Sequence, residues 1–182
     1  MRLYHVSDRP GIVRFEPRLS ASAATRHHGS VVWAVDEAHL HNYLLPRDCP
    51  RVTFHATSQS RPGDVERLVG SDGGYVVAIE AARLPEVRRQ RLHLYEFPPD
   101  GFTTLDASAG YYVSHRAVKP LSETVIDDLP AALRQRDVDL RVMPSLWELR
   151  EAVIASTLQF SIIRMRNALP PPEGLAAYHP LP

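Results

Sequence analysis

The chain has a single cysteine, Cys49, among 182 residues. One thiol excludes an intramolecular disulfide framework and suits a reducing compartment. Lysine is nearly absent: Lys119 stands alone, and every other basic residue is arginine. An excess of one charge is absent too, because 21 Lys and Arg face 21 Asp and Glu, for a formal net charge of zero. That argues against a general electrostatic attraction to nucleic acid or to an anionic membrane. No apolar run approaches the ~20 residues that span a bilayer. The opening Met1-Arg2-Leu3-Tyr4-His5 lacks the apolar core of a signal peptide. A cytoplasmic protein is therefore the expectation. There is no Gly-rich phosphate loop with a lysine, no G-x-S-x-G elbow, no H-E-x-x-H and no C-x-x-C.

What is present suits one globular domain. Hydrophobic residues make up 44% and charged residues 23%, which is enough apolar material for a core at this length. Leu3-Tyr4-His5-Val6-Ser7 reads as a first strand, stopped by the turn Asp8-Arg9-Pro10-Gly11. Ile12 to Pro17 reads as a second, short one. Residues 20–30 are small and polar and read as an exposed loop. Val31 to Val35 is a buried strand by its β-branched and aromatic run. Asp36 then suits the N-cap of a helix over about 37–45. Arg51–Ala56, Tyr75–Glu80, Leu92–Phe97 and Tyr111–Ser114 complete the main strands, with a shorter one over 102–105.

After Pro120 the character changes. Residues 122–128 read as helical, and Pro130 fits the first turn of a fresh helix. Val138–Met143 reads as an edge strand. Ser145 and Glu148 have the capping-box spacing. Trp147, Ile154, Leu158, Ile162, Met165 and Leu169 recur at helical steps. The expectation is an α+β fold: a mixed, mostly antiparallel split β-sheet with short helices and a long C-terminal helix. It would be a single domain over 1–182, β-rich over 1–120, helical over 121–169, with an irregular tail over 170–182.

Metal-ligating residue types are scattered over 36–55. In a regular helix, His39 and His41 would point about 200° apart, and no metal is assigned. Cys49 sits in a proline-flanked turn and reads as a small buried residue.

Three segments carry a resemblance. Tyr4-His5-Val6-Ser7 resembles the first motif of the ADP-ribosyltransferase fold, an aromatic-His-x-Ser/Thr strand. Val32-Trp33-Ala34-Val35, followed by a helix with Ala38 and Tyr43, is similar to the second. Tyr111-Tyr112-Val113-Ser114, before Val118-Lys119-Pro120, is similar to the strand of the third. The chain also resembles small bacterial domains of unknown function that carry the same YHVS, PRDCPRV and YYVS segments.

The resemblance implies NAD, or another nucleotide, as a small-molecule ligand. His5 would bond a ribose hydroxyl, Ser7 would contact the nicotinamide side, and Trp33 or Tyr43 would stack on the ring. Tyr112 and Ser114 would line the same cleft. The third motif departs from the family pattern, because Tyr111 or Tyr112 stands where many transferases carry a glutamate. Other branches of the fold act with His and Arg on phosphorylated RNA ends, and His5, Arg51 and His115 would supply such groups. The expected function is nucleotide binding with ADP-ribosyl-transfer-like chemistry. The alternative is a non-enzymatic binding or interaction module with a degenerate site. No membrane partner is expected, and a nucleic acid is disfavoured.

Overall fold

The computed structural model describes residues 1–19, 29–71 and 74–172. The expected polar loop over 20–30 therefore lies outside the described residues except at its end, and so does the tail from residue 173.

Among the described residues the strands are β1 Leu3–Ser7, β2 Arg18–Leu19, β3 Ser30–Asp36, β4 Arg51–His55 and β5 Tyr75–Glu80, followed by β6 Leu92–Phe97, β7 Thr103–Asp106, β8 Tyr111–Ser114, β9 Ser122–Ile126, β10 Val138–Met143 and β11 Gln159–Ile163. The helices are short: α1 Pro62–Asp64, α2 Leu84–Arg89, α3 Leu129–Arg134 and α4 Trp147–Ile154. None is long and apolar enough to cross a membrane.

The described residues gather into two compact units. The first comprises Met1–Leu44 and Arg91–Asp127. It holds a seven-stranded sheet in the order β7-β8-β3-β1-β6-β9, with β2 added on β3. Every pairing in it is antiparallel. Leu3, Val32, Ala34, Tyr95, Phe97 and Val118 form its core, with Phe15, Phe102 and Tyr112 packed against them. In β3, Val31, Val32, Ala34 and Val35 are all buried. A strand covered on both faces needs no alternation, which is why this run reads as continuous apolar sequence. The segment Ile12–Pro17 makes only a single bridge, Phe15 to Val118.

Asp36 is not the cap of a helix, but it does bind the turn that follows it. Its Oδ1 accepts from the His39 backbone N–H at 3.0 Å and from His39 Nδ1 at 2.7 Å. The helix beyond that turn is a 3₁₀ helix, Leu40–Tyr43, with His39 at its N-cap, in place of the expected longer helix capped by Asp36.

Among the described residues, the second unit is built from Leu45–Gln90 and residues 128–172. Its sheet runs β10-β5-β4-β11. β10 lies parallel to β5, and the other two pairings are antiparallel. Val52, Phe54, Val76, Ala78, Trp147, Val153 and Leu158 belong to its core. Proline starts helices here instead of breaking them. Pro85 and Pro130 occupy the first turns of α2 and α3, where the missing N–H costs nothing. Asp128 caps α3 by accepting from Ala131 N–H at 2.8 Å.

The expected long C-terminal helix is corrected. Helix α4 stops at Ile154, and the chain then forms β11. Thr157 causes the break: its N–H and hydroxyl both donate to Asp64 Oδ2, at 2.9 and 2.8 Å. Ser156 assists by donating to Val153 O at 2.7 Å. Beyond the break, Phe160, Ile162 and Ile163 have the β-branched and aromatic side chains that suit a strand, and β11 pairs with β4 along its length. The expected helix over 122–128 is corrected too. Thr124, Val125 and Ile126 favour a strand, and β9 pairs with β6. At the start of α4, Ser145 Oγ accepts from Trp147 N–H at 3.3 Å, and the reciprocal Glu148 bond is not formed among the described residues.

Candidate functional site

β1 pairs with β6 over all five residues, but with β3 only at Leu3↔Asp36 and Tyr4↔Val35. The two strands part at His5. The imidazole closes the gap, its Nδ1 lying 2.9 Å from Trp33 O. A carbonyl only accepts, so Nδ1 carries the proton and Nε2 is the accepting nitrogen of the neutral ring. Phe15 packs against the ring with centroids 4.9 Å apart, and Phe97 stacks at 6.0 Å.

Cross-strand partners share a sheet face, and successive residues alternate between faces. The registers therefore put His5, Ser7, Tyr112 and Ser114 on one face, together with Tyr95, His93 and Glu123. Trp33 and Tyr111 point to the other face. There Tyr43 O–H donates to Tyr111 Oη at 2.6 Å, and the Trp33 and Tyr111 rings meet edge-on at 6.0 Å. The structure thus groups four of the six expected cofactor contacts and separates Trp33 and Tyr43 from them.

The turn after β1 is bound down onto the His5 face. Ser7 Oγ accepts from Arg9 N–H at 3.1 Å, Tyr95 O–H donates to Arg9 O at 2.7 Å, and Ile12 N–H donates to Tyr95 Oη at 3.1 Å. Glu123 adds two bonds. Its Oε1 meets His93 Nδ1 at 2.7 Å, and its Oε2 accepts from Gly11 N–H at 3.0 Å. Burial pushes the Tyr95 hydroxyl above its ordinary range, so this phenol stays protonated and keeps donating.

A model of the family described as a family of unknown function, DUF6886, matches residues 4–168. The chain belongs to this family. No curated protein and no solved structure matches it. The family match takes in all eleven strands apart from Leu3. It carries no activity with it, and it leaves the likeness to the ADP-ribosyltransferase fold resting on the three sequence segments.

Of the other two expected catalytic residues, Arg51 does other work and His115 is not hydrogen-bonded to His5. Arg51 is a residue of the second unit and is buried. Its Nη1 donates to Pro46 O at 3.1 Å and Cys49 O at 3.0 Å, fixing the turn between them. His115 is exposed at the end of β8. Ser114 is buried and turns its hydroxyl onto Arg116, accepting from its N–H and donating to its O, both at 3.2 Å. Cys49 is fully buried, and desolvation pushes its thiol up to about 11. No group of three His, Cys, Asp or Glu side chains is gathered for a metal among the described residues.

His93 and Glu123 are absent from the sequence reading. His93 was visible only as a polar break in an alternating strand. Glu123 sat in a stretch read as a helix, which hid its place opposite Tyr95.

Proposed function

We propose that the first unit binds a nucleotide, with NAD as the first candidate, on the sheet face that carries His5 and Ser7. The parting of β1 from β3 at His5 is the observation that supports this reading most. It leaves a histidine of fixed tautomer at the point where the β1–β3 ladder ends. In that state Nε2 accepts from a ribose hydroxyl, and Ser7 contacts the amide side. Phe15 supplies the aromatic surface that the sequence reading gave to Trp33 or Tyr43. The associated chemistry is cleavage of the bond between nicotinamide and ribose, as in ADP-ribosyl transfer.

Titration calorimetry with NAD, on the full chain and on His5→Ala, tests the reading. Saturable binding that weakens at least about tenfold in the variant, some 1.4 kcal/mol, supports it. No heat with the full chain, or equal affinity in both, overturns it. Binding without release of nicotinamide identifies a binding module that performs no transfer.

A further inference from the structure

Ser7 and His93 are direct cross-strand partners, the last pair of the β1–β6 ladder. Such partners stand with Cβ atoms about 4.5–5.5 Å apart on one face, so the two side chains are neighbours there, with no hydrogen bond between them. His93 is buried, and its Nδ1 is held by the Glu123 carboxylate at 2.7 Å. The carboxylate fixes the proton on Nδ1 and leaves Nε2 to accept. Among the described residues, nothing donates to that Nε2. The Ser7 hydroxyl is likewise uncommitted as a donor, since its only hydrogen bond is the one it accepts from Arg9 N–H. An unused donor and an unused acceptor thus occupy adjacent positions, with a carboxylate behind the acceptor. Glu123 is itself anchored by Gly11 N–H at 3.0 Å. Val125, the β9 partner of His93 on this face, is half exposed at 48% and gives the position an apolar lip.

We propose that Ser7, His93 and Glu123 form a nucleophile, base and orienting carboxylate that cleave a carboxylic ester. This goes beyond nucleotide binding and does not depend on it. Ser7 Oγ attacks the ester carbonyl carbon as its proton passes to His93 Nε2, and the carbonyl π pair moves onto oxygen. Collapse of the tetrahedral adduct expels the alkoxide, which takes the proton from His93. Water then attacks the acyl-serine by the same route, releasing the acid and restoring Ser7. Glu123 acts through His93, by holding its tautomer and ring plane. The Val125 lip suits the hydrocarbon part of an acyl group better than it suits a phosphate.

The full chain is treated with an alkyl fluorophosphonate, which forms an Oγ–P bond and loses fluoride, and the labelled peptide is located by mass spectrometry. The expected label is on Ser7. Its rate falls at least about a hundredfold in His93→Ala, within the usual range for a lost general base, and falls less in Glu123→Gln. Ser122→Ala labels normally. A Ser7→Cys chain is alkylated by iodoacetamide, with a rate that drops when His93→Ala is added, so the base is tested even where labelling of serine is slow. Thermal melts show that each variant is folded. No label on Ser7, or a rate indifferent to His93 in both the serine and the cysteine chains, overturns the proposal.

Discussion

Gly110 has φ +67°, a conformation that side chains rarely adopt. Its carbonyl accepts from Asp36 N–H at 3.0 Å. A Cβ there would meet Asp36 Oδ1 at 2.7 Å and collide with the His39 ring. The glycine is therefore what lets the Asp36–His39 pair close against the loop before β8. Gly110→Ala is expected to cost about 2 kcal/mol or more, from the left-handed backbone and the clash together. Urea denaturation of the two chains measures it, and a midpoint equal to the parent's would show that the loop simply moves. At this scale the sequence was informative where chemistry is local. Pro130 in a first turn and the burial of Cys49 both follow from a few adjacent residues. Arg51 was given a catalytic role on the resemblance, although its partners are carbonyls of the turn two and five residues before it.

Elements were legible where their pattern is unambiguous and misread where a distant residue decides. β1, β3, β4, β5 and β6 each showed in alternation or in a β-branched run. The stretch from Ser145 to Leu169 also has helical spacing, yet Asp64 stops the helix at Thr157 from 93 positions away. A periodic pattern is only a preference, and two hydrogen bonds to a carboxylate outweigh it. Those bonds, with Arg67 at 3.0 Å, hold the Asp64 carboxyl below its ordinary value of 3.8. A carboxyl whose folded value is depressed adds stability that is fully present above the ordinary value and is lost as pH falls through the folded one. Asp64→Asn should therefore melt below the parent at pH 7, with the gap narrowing below about pH 4. Melting curves across that range check this, and a gap that widened in acid would contradict it. The candidate site shares this limit. His5 and Ser7 were visible in one short strand, whereas His93 and Glu123 reach them only through pairings among β1, β6 and β9.

At the scale of the whole molecule, neither unit is continuous in sequence. The sequence reading divided the chain near residue 120 into a β-rich part and a helical part. The chain after that point instead supplies β9 to the first sheet and both edge strands, β10 and β11, to the second. A chain ending at Asp127 keeps every strand of the first sheet but leaves β4 and β5 without their outer partners and without α4. It is expected to resist proteolysis over residues 1–44 and 91–127 and to be cut readily between 45 and 90. Limited proteolysis with mass spectrometry tests this, and equal protection of 45–90 in the shortened and full chains would refute it.

The place of β1 has a consequence during synthesis. β1 is made before its full-length partner β6, which begins at Leu92. At roughly 5–20 residues per second, a ribosome needs on the order of ten seconds to supply that partner. Through that interval Leu3 and Tyr4 have only β3 as a partner, and Val6 has no strand beside it in the sheet. A strand made well before its full-length partner is thus sheltered late, and a chaperone that holds exposed apolar stretches would act on it.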